Sequence, residues 1–319
     1  MEEIITKLQQ SQEPCIRLKL YRDILDGENP EILKILGEEV KNSLRVSLLL
    51  SERNEEDKIP HHPYGKWYGA HWVLPILADI GYPAGDKSLT PLRDQVLKWL
   101  LSKDHEKHIK VIFGKVRRCA SQEGNALYSM LKLGLADEKA EELAHRLMKW
   151  QWPDGGWNCD RNPEVINSSF METLLPLRAL SLLGRISGDN KAIVSAENAS
   201  EIFLKRKMFR RLSDGSIIEE DFIKLHYPCY WHYDILVGLK VMAEAGFISD
   251  PRCSEALDLL ESKRLPGGGF PAEGKYYRLS NKQAPGRSLV DWGGVSRTRM
   301  NEFVTLVALW VLKKAGRLK

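Results

Sequence analysis

The chain has no apolar run approaching the roughly 20 residues needed to cross a bilayer, and stretches such as Ile235 to Val241 stop far short. Its N-terminus, Met1-Glu2-Glu3-Ile4-Ile5, is acidic where a secretory signal is basic and then apolar, so a cytoplasmic location is expected. Cysteine is sparse. The five residues Cys15, Cys119, Cys159, Cys229 and Cys253 are odd in number and scattered, which argues for reduced thiols and against a disulfide framework. A surplus of one charge is missing too. With 47 basic and 43 acidic side chains the net charge is +4, too little to draw nucleic acid by bulk electrostatics. The basic run Lys205–Lys207, with Arg210 and Arg211 beyond it, reads as cations complementing a helix C-terminus in solvent. Gly267-Gly268-Gly269 lacks the lysine and hydroxyl of a phosphate loop, and no Ser-His-Asp or Cys-His signature is recognisable.

What remains is the composition of a globular protein of 319 residues, 43% hydrophobic and 28% charged. A chain of this size buries roughly 75% of its unfolded surface and needs neither metal nor disulfide to fold. Six glycines each close an apolar, helix-like segment: Gly27, Gly81, Gly134, Gly184, Gly246 and Gly316. Glycine is the usual residue just past a helix end, because the left-handed backbone there penalises a side chain. Helix-start signals follow at Asn29-Pro30, Thr90-Pro91, Asp137-Glu138 and Asp250-Pro251. The segments ending at the glycines are apolar all round, as in Phe170–Leu183. Those starting after them carry one stripe, as in Leu92, Val96, Leu97, Leu100 and Leu101.

An alternation of fully apolar and one-faced helices reads as stacked hairpins, with the former inside. About six hairpins predict one all-α domain over residues 1–319, an α/α toroid in which residues 1–64 complete the ring. The links from outer to inner helices are long, roughly 51–66, 103–120, 151–167, 210–230 and 264–298, and long loops in compact domains are usually functional. They share the rim of the inner-helix N-termini, which favours an anion. A ligand with an acidic head and a hydrocarbon tail suits that arrangement.

The third of these loops contains Gln151-Trp152-Pro153-Asp154-Gly155-Gly156-Trp157, with degenerate copies at Asp214-Gly215 and at Leu265–Phe270. It resembles the QW repeat of squalene and oxidosqualene cyclases, and from about residue 65 to the C-terminus the chain is similar to the terpenoid-cyclase and protein-prenyltransferase superfamily. The resemblance implies an α/α toroid enclosing an isoprenoid or other hydrophobic ligand. The superfamily's catalytic signatures are missing. There is no Asp-x-Asp-Asp run for alkene protonation and no Asp-Asp-x-x-Asp for magnesium and diphosphate. Glu164 and Ile166 stand where the Asp-x-Cys zinc pair of prenyltransferases would fall.

Candidate chemistry is therefore read from position. His232, Asp234 and Glu172 lie at inner-helix starts as acid and base candidates, with Asp234 a potential orienter of the His232 ring. Trp67, His71, Trp157, Tyr230, Trp231 and Trp292 are candidate walls for a ligand. Arg297 and Arg299 precede the last inner helix, where guanidinium groups could clamp an anion beneath a lid. Cys159, Asp160, His226 and Cys229 have the ligand types of a zinc site but match no known spacing, so a metal is not favoured. The leading expectation is a toroid that binds or transforms a hydrophobic, anionic-headed ligand. The alternatives are a carbohydrate-active α/α-toroid enzyme, a polysaccharide lyase or glycoside hydrolase, and a non-catalytic binding module.

Overall fold

The structure is a computed structural model, described here for residues 1–318. In chain order the helices are α1 (Glu2–Gln9), α2 (Pro14–Lys19), α3 (Pro30–Lys41), α4 (Leu44–Leu50), α5 (Ala70–Ile80), α6 (Thr90–Leu100), α7 (Lys103–Glu106), α8 (Ala120–Lys132), α9 (Glu138–Trp150), α10 (Phe170–Ser187), α11 (Asn190–Leu204), α12 (Ile235–Ala245), α13 (Ser254–Ser262) and α14 (Glu302–Lys314). A π-helical turn, Leu20–Ile24, extends α2. Among the described residues, strands are confined to an antiparallel hairpin, β1 (Lys110–Ile112) with β2 (Lys115–Arg117), and a parallel pair, β3 (Arg278–Leu279) with β4 (Arg287–Ser288). Helix packing therefore carries the fold. No helix among the described residues is long and apolar enough to cross a membrane.

The helices begin where short polar side chains satisfy the free N–H groups. Asn29, Asp137, Asp189, Asp234 and Asn301 each accept from backbone amides one turn ahead. Gly81 and Gly246, at φ 86° and 88°, end α5 and α12 in the left-handed conformation. Two of the expected glycine ends are displaced. α10 runs through Gly184 to Ser187 and stops at Gly188 (φ 71°), because Gly184 lies where α10 meets α11 and a Cβ there would come within 2.6 Å of the Ile193 side chain. At the first glycine, Asp26 takes the left-handed turn (φ 52°), while Gly27 lies against the Tyr21 ring.

Two sets of helices separate by their contacts. α5 packs on α2, α8 on α5, α10 on α8, α12 on α10 and α14 on α12; α14 then packs on α2 and the π turn. Named bonds join the two ends of the chain: Ser11 Oγ donates to Glu302 Oε2 at 2.8 Å, and Lys313 Nζ donates to the Ile24 carbonyl at 2.7 Å. Against these helices lie α3 on α2, α6 on α5, α9 on α8, α11 on α10 and α13 on α12. The first set is buried nearly throughout, as α14 illustrates, with Phe303 through Leu309, Val311 and Leu312 all buried.

Turn hydrogen bonds repeat along the chain. In 151–157 the Trp152 N–H donates to the Gly156 carbonyl, Gly155 takes φ 105°, and the Trp157 N–H donates to Thr173 Oγ1. In 264–270 the Leu265 N–H donates to the Gly269 carbonyl, Gly268 takes φ 83°, and the Phe270 N–H donates to Thr305 Oγ1. Both aromatics are buried. Gln151 completes the first turn by donating to the Gly155 and Ser195 carbonyls at 2.7 and 2.8 Å, which ties the end of α9 to α11.

The long connections touch one another. Trp67 Nε1 donates to the Tyr276 carbonyl, Trp152 Nε1 to the Val116 carbonyl, and Arg117 bridges to Asn158. At the other helix ends the short links meet, as where the Gly85 N–H donates to the Leu133 carbonyl.

Candidate functional site

Charges set inside otherwise apolar helices gather at one end of the helix set, with Arg178 and Lys240 buried and Asp79 and Glu244 half-buried. Arg178 of α10 donates through Nε and Nη2 to both Glu244 oxygens (2.5 and 2.7 Å), and through Nη2 to Asp79 Oδ1 (2.9 Å) and the Tyr128 hydroxyl (2.7 Å). Its guanidinium stacks on the Tyr128 ring at 3.7 Å. Lys240 donates to Asp79 as well, and Lys19 Nζ donates to the Asp79 carbonyl at 3.0 Å. This network joins α2, α5, α8, α10 and α12. Burial alone would raise the Asp79 carboxyl, but Lys240, Arg178 and Lys19 hold it far below the usual range, and Glu244 is lowered by Arg178 and Lys240 against the same burial.

Above this floor opens a cavity of about 320 Å³, within the range of small-molecule sites. It lies at the C-terminal ends of these helices, opposite the rim expected from sequence. Six cations line it, Lys19, Arg22, Lys132, Arg185, Lys240 and Lys314, against the carboxylates of Asp23, Asp79 and Glu244. Asp79 and Glu244 are balanced by Lys240 and by Arg178 beneath, and Asp23 pairs with Arg22 at 2.7 Å. Lys19, Lys132, Arg185 and Lys314 keep no carboxylate partner among the described residues, so the bowl presents positive charge to solvent.

The opposite rim is aromatic. Trp67 stacks on Tyr230 with centroids 4.0 Å apart, and His232 lies between Trp231 (4.1 Å) and Tyr276 (3.7 Å). Lys66 Nζ sits 5.0 to 5.8 Å from the Trp231, Trp67 and Tyr64 rings. Deeper, Tyr227 stacks on Phe303, and Trp292 meets both edge-on. These rings fill one another's space. Beside Tyr64 three ligand-bearing side chains converge: Cys119 at the start of α8, Cys159 in the loop before α10, and Glu172 in the first turn of α10. The Cys159 thiol lies 3.3 Å from Glu172 Oε1, while Oε2 accepts the Ser121 N–H at 3.0 Å. Its hydrogen bond with Cys119, its burial and the neighbouring Glu172 push the Cys159 thiol up, and burial raises Glu172.

The sequence candidates fall in several environments. Asp234 is fully buried and pairs with His226, not with His232: His226 Nδ1 is 2.7 Å from Asp234 Oδ2, which also accepts the His226 N–H, and Oδ1 caps α12 through the Val237 N–H. That cap draws the carboxylate toward the chain preceding the helix, where His226 arrives. Burial opposes the His226 charge and Asp234 favours it, with a net rise. His232, stacked and beside His226 and Lys66, is pushed down to about 3, chiefly by burial. Cys229 donates its thiol to the His232 carbonyl, and among the described residues neither His226 nor Cys229 joins a metal-capable group; Asp160 is exposed. Trp157 is buried with Nε1 donating to the Leu147 carbonyl at 2.9 Å. Arg297 and Arg299 are exposed and without an ion pair among the described residues. None of these candidates lines the cationic cavity.

Residues that pattern reading passed over include Asp79, Arg178, Lys240, Glu244, Cys119 and Lys66. A signal existed for the first four: each is a formal charge inside a helix otherwise read as buried all round.

Histidine burial predicts acid lability. His71, 1% exposed, is pushed down to about 3 by burial, as are His105 and His232, so all three stay neutral in the fold. Below their unfolded value of roughly 6.5 unfolding takes up their protons, and stability falls with falling pH. Glu123, raised by burial to about 7, and Glu172, raised by burial as well, oppose part of this by holding protons in the fold above the unfolded carboxylate value. His71 alone contributes about 1.4 kcal/mol per pH unit between about pH 6 and 4. Urea unfolding across that range should show the loss, and His71→Gln should flatten the slope by about one proton. A slope unchanged in that variant contradicts a neutral, buried His71.

In comparison with known proteins, no family model matches the chain and no curated protein matches it.

Proposed function

We propose that the chain is a single α/α toroid of six helical hairpins, similar to squalene cyclases and protein prenyltransferases, that binds a small anionic ligand, or the anionic head of an amphiphile, in its axial bowl. The closed order of helix contacts, α2 to α5, α8, α10, α12, α14 and back to α2, supports the ring. One observation carries the ligand: four cations without carboxylate partners surround a cavity whose buried floor is already neutralised. The carbonyls at these helix ends take up part of that charge, through Lys19 on Asp79 and Arg185 on Glu244, and the surplus of cations that remains gives an anion several charge-assisted donors.

Packed rings at the other rim leave the bowl as the axial space, so the head group dominates recognition in this reading. Calorimetric titration with inorganic diphosphate tests it, and dodecyl phosphate against inorganic phosphate separates a required tail from a head alone. Saturable, salt-sensitive binding is expected, weakened at least about tenfold in a Lys132→Met/Arg185→Met double variant. Binding that the double variant leaves intact, or none in the wild type, defeats the proposal. A second reading, a carbohydrate-active toroid, is favoured by the partly exposed Trp231–His232–Tyr276 stack, which offers a platform to a sugar ring. An oligouronate in the same titration distinguishes it, and a protein that binds anions without turnover is the non-catalytic module.

A further inference from the structure

The geometry points to a zinc site formed by Cys119, Cys159 and Glu172 on the rim opposite the axial bowl. The two thiol sulfurs and one carboxylate oxygen all lie within 4.8 Å of one another. Zinc holds sulfur at about 2.3 Å and oxygen at about 2.0–2.2 Å, which sets ligand-to-ligand edges of roughly 3.3–3.8 Å in a tetrahedron. The Cys159 to Glu172 edge is already 3.3 Å, so a modest inward movement of Cys119 completes the triangle.

Each ligand is held by a different part of the fold. Cys119 is the residue on which α8 begins. The loop carrying Cys159 is anchored by Asn158, whose Nδ2 donates to the Asn167 carbonyl and whose Oδ1 accepts the Asp160 N–H. Glu172 is oriented by the Ser121 N–H on Oε2, which leaves Oε1 turned to the thiols, and such fixing of a carboxylate's second oxygen is what a metal-binding carboxylate requires of its surroundings. Two thiolates favour zinc over magnesium or calcium. Arg118, which bonds Gln122 and lies beside Glu123, is also close enough to lower the Glu172 carboxyl somewhat.

Three protein ligands leave one tetrahedral position open, the arrangement of zinc sites that bind an exchangeable water or ligand. Cys119 and Cys159 are partly exposed, so an ion can reach them, and Tyr64 lies beside the cluster. The site shares no residue with the axial bowl, and each stands if the other fails.

The test uses the full chain, purified under reducing conditions without a metal-affinity tag. Elemental analysis should find about one equivalent of zinc, and after chelation cobalt should restore one equivalent with the absorption of a tetrahedral thiolate complex. Cys159→Ser and Glu172→Gln should each weaken zinc at least about 100-fold in a competition titration, more than the loss of a supporting residue brings. In the wild type, zinc should also protect Cys119 and Cys159 from alkylation while leaving Cys229 unchanged, a readout that needs no variant to fold. Less than about a tenth of an equivalent of zinc with no cobalt–thiolate absorption overturns the site. So does zinc retained at full affinity by both variants, or a wild type in which the two cysteines form a disulfide under reducing conditions.

Discussion

Replacing Arg178 by leucine is expected to cost the fold about 3–5 kcal/mol, because it removes one partner from a buried charge network and strands the others. Asp79 and Glu244 would be left sharing Lys240, and the Tyr128 hydroxyl would lose its donor. The desolvation of the carboxylates was met in part by a forked guanidinium that reaches Glu244 with two nitrogens and Asp79 with one of them. Lysine at 178 keeps the charge but not the fork, and its loss should fall between wild type and leucine. Urea unfolding at neutral pH measures both. A loss under about 1 kcal/mol for the leucine variant would mean that the network is not formed as described, since surface ion pairs are worth no more than that.

Trp157→Ala is expected to cost about as much, roughly 3–5 kcal/mol, by a different route. The ring is buried between α9 and the start of α10, and its amide and indole nitrogens are fixed by Thr173 and Leu147. Alanine leaves a cavity where two hairpins meet. Phenylalanine keeps most of the volume and forfeits the bond to the Leu147 carbonyl, a loss of about 1 kcal/mol beyond any repacking. Chemical denaturation of both variants separates the cavity from the hydrogen bond. If alanine and phenylalanine prove equal and mild, the segment is not the clamp between hairpins that its bonds describe.

Periodicity made the helices legible. The glycine-ended segments became α2 with its π turn, α5, α8, α10, α12 and α14, the striped ones α3, α6, α9, α11 and α13, and Asn29, Asp137 and Asp250 cap where the sequence places helix starts. The misplaced ends at Gly184 and Gly27 have one cause. Glycine serves close packing as well as left-handed turns, and sequence does not separate the two uses.

The candidate site was less legible, for two reasons. Side chains brought together by helix packing come from distant parts of the chain: Asp79, Arg178 and Glu244 meet across three helices, and Cys119 meets Cys159 across a hairpin. Local spacing carries no trace of such meetings. Competition between partners is the second reason. Asp234 could orient either His226 or His232, and the choice went to His226 because the same carboxylate must also cap α12. A count of long loops points to their rim as the mouth, and the cationic cavity proposed as the anion site lies at the other end, where the links are short.

Whether the proposed bowl receives an anion is tested most directly by crystals soaked in tungstate, an electron-dense tetrahedral dianion. A principal anomalous peak is expected within hydrogen-bonding reach of Lys240 together with Lys132 or Arg185, lost in the Lys132→Met/Arg185→Met variant. A bowl without tungstate, with the strongest peaks instead at Arg297 and Arg299 among the long loops, would contradict it.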